Sequence, residues 1–296
     1  GQLERFNGRI DMPRLRLEGE LASPPTIEAL TAQVGWRRKE DGGSLHIRDL
    51  QWQWQDETIA GMSVKLEHDP LRFRVEAVDV PLGPLARMAL ASNLLPARVE
   101  PEVAGLRPEG GLSVLHATIP RDHPAGFDVF AELAGVTVQP YRGAPGGSNL
   151  QGQIWASRHG GRVRARGEDM TLIVPDLYAE PLTFSHTDAE VSWREDGGIT
   201  RVFGQQLKAT YGEATTVTGA FDLRLDRYGE DNLGLRLAIA NARASMLPAF
   251  LPARELDPQL YNWLTTAITG GEVVSGEFYG HGQVDNDRPP DSFSTA

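Results

Sequence analysis

The chain has 296 residues, a net charge of −11, no cysteine, 40% hydrophobic residues and 32 glycines. Without cysteine there are no disulfides or thiolate metal sites. The acidic balance, with no Lys/Arg block, argues against a nucleic-acid groove and against charge-driven binding to an anionic membrane. The apolar share is that of a folded chain, long enough for one large domain or two ordinary ones, and no apolar run reaches membrane-spanning length.

Most of the chain alternates apolar and polar residues with a period of two, which predicts strands with one apolar face. The first such runs hold Leu15 and Leu17, then Leu30, Ala32, Val34 and Trp36. Beyond Gly42-Gly43 come Leu45 and Ile47, then Leu50, Trp52 and Trp54, then Val64 and Leu66. Leu71, Phe73 and Val75 follow, then Val78 and Val80. Turn chemistry at Asp41-Gly42 and Asp69-Pro70 separates them. From Leu82 to Leu95 the spacing changes to that of a helix.

Strands resume at Leu112 and Val114, at Phe127 to Leu133, and at Val136 and Val138, before a Gly/Pro-rich loop from Tyr141 to Asn149. The later runs contain Ile154, Val163, Met170 to Val174, then Ala189, Val191 and Trp193. Leu207 to Tyr211, Val217 to Leu225 and Leu233 to Ile239 complete them. Asp257 and Pro258 then predict a helix start, with Leu260, Trp263, Leu264 and Ile268 as one apolar stripe. Trp263 and Leu264 are expected to dock that helix. Gly270-Gly271 end it, an extended segment follows to Tyr279, and the tail from Asp285 reads as unstructured or cut short.

The pattern repeats. Leu95-Pro96-Ala97-Arg98 recurs as Leu251-Pro252-Ala253-Arg254, an offset of 156 residues. Trp36 matches Trp193 at 157, Asp11-Met12 matches Asp169-Met170 at 158, and Pro25-Thr26-Ile27 aligns with the segment from Pro181. Residues 1–126 form an N-terminally truncated first repeat and residues 127–296 a second, both expected to belong to one continuous β-groove. The fixed period predicts an extended, stacked architecture, with an old duplication inside one globular domain as the alternative, and the truncation predicts a fragment of a longer protein.

The expected fold class is mainly β: a long antiparallel sheet built of repeated units, with short helices between repeats. A sheet of so many strands with one apolar face must close, fold over or be covered, and two or three short helices cannot cover it, so it should curl. The seven histidines form no HxH or HExxH pattern, and no GxSxG elbow or P-loop occurs. The acidic pairs Glu40-Asp41, Glu195-Asp196 and Glu230-Asp231 read as turn residues, not calcium ligands. No catalytic, metal or cofactor site is expected.

Several of these features together carry a resemblance: the helix LDPQLYNWLTTAITGG with its following strand, the turn VSWREDGG, and FAELAGVTVQPYRGAPGGSNLQGQI. The chain resembles the periplasmic central region of the YhdP-type AsmA-like proteins, relatives of the TamB group, most clearly from Phe127 to Gly282. The resemblance implies a taco-shaped sheet with a hydrophobic groove on its concave face. It implies a parent protein anchored in the inner membrane of a Gram-negative cell and spanning the periplasm. It also implies passage of phospholipids between inner and outer membranes, the membranes being reached through parts of the parent not present here.

The residues expected to line the groove and meet phospholipid acyl chains are Trp52, Trp54, Val64, Leu66, Phe73, Val75, Val191, Trp193, Phe221, Leu223, Leu235 and Leu237. An alternative is a scaffold that holds an outer-membrane protein segment by edge pairing. A third reading is a carbohydrate-active enzyme built on Trp52, Trp54 and Trp193, which would need carboxylates converging near those rings.

Overall fold

The computed structural model describes residues 4–16, 26–92, 95–253, 256–268, 270–284 and 292–295. Leu17, Pro25, Arg254 and most of the tail lie outside the described residues. The chain is mainly β, with sixteen strands among the described residues, and every strand pair whose register is defined is antiparallel. It divides by contacts into two compact units, Gly1–Tyr141 with Trp155–Arg158, and Arg142–Ile154 with His159–Ala296. This division is one of contacts and the repeat one of sequence, so their boundaries differ.

In the first unit β1 (Arg5–Arg16), β2 (Thr26–Lys39), β3 (Gly42–Trp54), β4 (Glu57–His68) and β5 (Arg72–Pro81) form a meander, each paired with its predecessor. Two helices, α1 (Leu82–Ala91) and α2 (Glu100–Leu106), precede β6 (Glu109–Pro120), which returns to pair with β5. β7 (Asp128–Val138) pairs with β6. The turns predicted at Asp41-Gly42 and Asp69-Pro70 fall at the β2–β3 and β4–β5 connections, while the β3–β4 turn at Gln55-Asp56 was not predicted.

The second unit takes up at Arg142 and includes β8 (Gly146–Ser157) as far as Ile154, so the predicted loop at residues 141–149 is shorter than its Gly and Pro content implies. β9 (Gly160–Gly167) and β10 (Met170–Ile173) both lie alongside the long β11 (Leu182–Asp196): β9 pairs Thr187 to Arg194, and β10 pairs Leu182 to Phe184. β12 (Ile199–Tyr211), β13 (Thr215–Asp226) and β14 (Asn232–Arg243) continue the meander. A 3-10 turn (Ala244–Met246), α3 (Leu247–Phe250) and α4 (Pro258–Ala267) lead to β15 (Glu272–Gln283). Phe293–Thr295 then pairs with β15 as β16, so part of the tail is structured, contrary to the expectation.

A line of β-bulges crosses the first unit. Asp49 of β3 (φ +50°), Gly61 of β4 (φ +87°) and Asp79 of β5 (φ +54°) each leave the extended conformation. The β3–β4 register slips beside the first two, between the Ile47–Val64 and Leu50–Met62 pairs and again before Trp52–Ile59, whereas Asp79 lies between the Val78–Val114 and Val80–Leu112 pairs, where the β5–β6 register runs on unshifted. Aspartate tolerates positive φ because its short polar side chain bonds locally; here Gln33 Nε2 donates to Asp49 Oδ2 at 2.7 Å. Each extra residue bends its strand and increases local twist. It also switches the alternation, so Leu45 and Ile47 stay on the same face as Leu50, Trp52 and Trp54. Gln206 (φ +55°) does the same in β12, keeping Val202 and Gly204 on one face with Leu207 and Ala209.

Asp49→Val should therefore destabilise the first unit by about 1–2 kcal/mol, since a β-branched residue is forced into a left-handed conformation. Asp49→Gly should stay much nearer wild type. Urea unfolding followed by tryptophan fluorescence checks both, and an unperturbed valine variant would deny the bulge any role.

The bulge line separates two zones. Beyond it, toward the helices, Trp52, Trp54, Ile59, Met62, Val80 and Leu112 are buried. Arg87 of α1 ties the helix to this end, donating to Glu57 Oε1 at 2.9 Å and pairing with Glu109. In the second unit Phe250 of α3 stacks edge-on against Tyr211, 4.8 Å between centroids, and Tyr211 in turn meets Phe184 at 6.1 Å. Phe250 is thus an anchor for the helical segment. Asp257 caps α4 as its sequence predicted, accepting from the Gln259 and Leu260 N–H groups at 2.8 and 3.1 Å. The docking expected of Trp263 is not seen, because that side chain is 60% exposed.

Candidate functional site

Cross-strand register decides which side chains share a face, because directly paired residues point the same way. In the first unit one row runs Val34–Ile47–Val64–Ala77–Leu115–Ala131, and the next runs Trp36–Leu45–Leu66–Val75–Ala117–Val129. Every side chain in both rows is apolar. In the second unit Val163–Val191–Gly204–Phe221–Leu235–Gly280 form one row. Gly161–Trp193–Val202–Leu223–Leu233–Gly282 form the row beside it. Each unit therefore carries an apolar face unbroken across its strands.

The twelve predicted residues fall on these two faces. Val64 and Val75 are half-buried, Leu66 and Phe73 are 38% and 44% exposed. Val191, Trp193, Phe221, Leu223, Leu235 and Leu237 are all half-buried, so none is covered by a second layer. Trp52 and Trp54 share the first unit's face but are only 4% and 6% exposed; they lie in its packed interior. The face is open near the hairpin turns and closed near the helices. Along β5 the gradient is explicit, from Leu71 (74% exposed) through Phe73 and Val75 to Ala77 (5%).

The selection missed residues on the same rows. Trp36, Leu45, Ile47 and Leu233 were visible as alternating apolar positions, and register makes them neighbours of the chosen ones. Phe278 of β15, 39% exposed and paired with Leu237, had no such signal because glycines interrupt its strand.

The opposite face is charged and paired. Lys65 Nζ lies 3.2 Å from Glu76 and 3.6 Å from Glu67, and Lys39 donates to Glu67 at 3.1 Å. The bond to Glu76 raises the Lys65 ammonium above its ordinary range, and the bond from Lys39 lowers the Glu67 carboxyl. In the second unit Arg166 meets Asp188 at 2.5 Å, Arg201 pairs with Asp222, and Arg236 lies 3.6 Å from Glu277. Asp188 and Asp222 are held below the usual carboxylate range by their arginine partners. Two aromatic rings on this side carry arginines: Arg194 and Arg201 flank Phe203, and Arg236 stacks over Tyr279 at 5.2 Å. Such exposed pairs contribute little each, but they keep this face wet and unavailable to apolar partners.

Fold and faces together define a class: an antiparallel β protein whose sheet, in each unit, has one ion-paired side and one apolar side left largely uncovered. Within that class the chain matches the family model of the YhdP protein over residues 1–295, and it belongs to the YhdP family. No curated protein and no solved structure matches it.

Proposed function

We propose that the apolar faces bind the acyl chains of phospholipids, as one stretch of a bridge-like protein that moves lipids between the inner and outer membranes of a Gram-negative envelope. The supporting observation is the uncovered apolar face, continuous across the strands of each unit, backed by a charged face that stays in water. Membership of the YhdP family supports a role in lipid transport. The role is non-enzymatic and periplasmic in this reading, and the parent protein supplies the membrane anchorage.

The energetics suit transfer. At roughly 0.8 kcal/mol per buried CH2, a sixteen-carbon chain gains on the order of 12 kcal/mol on entering an apolar surface that excludes water. That largely offsets leaving a bilayer. From Leu71 to Ala77 the strand advances six residues, roughly 20 Å, longer than the ~15 Å half-thickness of a bilayer's hydrocarbon core. An acyl chain can therefore lie along one strand from the open end to the buried zone. A lining made only of hydrocarbon holds a chain without fixing it at one position.

Mass spectrometry of lipids extracted from gently purified protein tests the reading. Phospholipid in stoichiometric amount is the expected result. Its absence, with a peptide recovered in its place, would favour a scaffold for protein segments.

A further inference from the structure

At the open end of the first unit the apolar face meets a group of guanidinium ions. The β4–β5 turn is built on Asp69, whose Oδ1 accepts from the Leu71 and Arg72 N–H groups at 2.9 and 3.0 Å. Its Oδ2 lies 3.2 Å from Arg74 and 3.6 Å from Arg72. The backbone bond from Leu71 leads the interactions that hold this carboxyl below its ordinary range. Asp69 is thus fully engaged from the side of Arg72 and Arg74, which point away from the apolar face.

Arg121 is placed differently. Its N–H bonds to the Leu71 carbonyl at 2.9 Å, which aligns it with Leu71 on the apolar side of the sheet. Its guanidinium lies 5.3 Å from the Phe73 ring centroid and makes one long bond, 3.4 Å, to the Asp69 carbonyl. Among the described residues no carboxylate pairs with it. His68, the register partner of Phe73, sits on the other flank of that ring at 6.2 Å. Arg72, Arg74 and Arg121 stand near Asp69, and Asp122 adjoins Arg121, so these five groups carry one net positive charge in a chain whose overall charge is −11. An exposed phenyl ring, an exposed leucine and an unpaired guanidinium therefore share one edge of an apolar face.

We propose that this corner is a headgroup post: Arg121 holds the anionic headgroup of an amphiphile while its tail lies along Phe73, Val75 and Leu66. The proposal rests on the lipid reading above and adds a position and a charge preference to it. The chemistry fits, because a guanidinium offers several N–H donors in one plane to phosphate oxygens. The ring beneath it orders the side chain and excludes water from one side. Lipid would then pause at this corner instead of sliding past it.

Isothermal titration of the full chain with dodecyl phosphate and dodecyl maltoside, both below their micelle concentrations, tests this. Dodecyl phosphate should bind about tenfold more tightly than the maltoside, the worth of one or two charged hydrogen bonds. Arg121→Gln should remove that preference and leave maltoside binding unchanged, while Arg121→Lys, which keeps the charge but not the planar donors, keeps only part of it. Phe73→Asp should weaken both ligands. Inorganic phosphate at millimolar concentration should not compete; if it displaces dodecyl phosphate, the corner is a free-anion site and the headgroup assignment falls. Equal binding of the two amphiphiles, unaltered in Arg121→Gln, would overturn the post and leave the apolar face standing. Binding of neither would overturn both.

Discussion

Trp52→Ala is expected to lower the unfolding free energy of the first unit by about 3–5 kcal/mol, the usual cost of removing a large buried aromatic side chain. Trp52 is 4% exposed and faces Ile59, itself 2% exposed, across the β3–β4 pair. Leu66→Ala, on the same face of β4 but 38% exposed, should cost less, about 1–2 kcal/mol, since over a third of that residue's surface stays in water. Trp52→Phe separates packing from polarity. The Trp52 indole N–H is buried without a partner, so phenylalanine removes an unsatisfied donor while keeping most of the ring. Its cost should be about 1 kcal/mol. Urea titration followed by far-UV circular dichroism distinguishes the three. Equal losses for Trp52→Ala and Leu66→Ala would mean that the face is uniformly open and that the buried zone is not a core.

That contrast also shows what could be read from the sequence. Alternation identified the strands and the apolar side of each, and all twelve selected residues lie on the two apolar faces. It could not rank them by exposure, because Trp52 and Phe73 have the same pattern and differ only in their distance from the helices. The bulges were written in the sequence as slips of phase. Apolar positions pass from Leu45 and Ile47 to Leu50 and Trp52, and from Phe73 and Val75 to Val78 and Val80, changing parity each time. The structure runs one strand through each slip and places Asp49 and Asp79 at the change. In β5 the new phase begins at Val80, since Val78 pairs with Ser63 on the charged side.

The helices were the poorer part of the reading. The apolar stripe of α4 has helical spacing and a good cap, yet Leu260 and Trp263 are 44% and 60% exposed. Phe250, in a one-turn helix too short to show periodicity, makes the aromatic contact with Tyr211. Periodicity reports an apolar stripe but not whether a neighbouring surface meets it.

Introducing carboxylates at Phe221, Leu223 and Leu235 is expected to reduce copurified phospholipid at least tenfold while the protein remains folded. Phe221 and Leu235 are direct register partners, and Leu223 lies two residues along the same strand, so the three substitutions fall in one patch. An acyl chain crossing that patch would have to displace water from ionised carboxylates, which costs about 1–3 kcal/mol or more for each group left unpaired. The gain from burying hydrocarbon is lost there at the same time. Folding should suffer far less, because all three side chains are only half-buried and the new charges keep their contact with water. A companion variant is needed to exclude a simple charge effect. Thr218→Asp with Ala238→Asp adds charge to the same strands at a register pair on the opposite face. It should leave the lipid content unchanged. Loss of lipid in the first variant alone would place the binding surface on the apolar side of the second unit. Equal loss in both would mean that lipid follows the overall charge of the protein, and the face-specific reading would then fail.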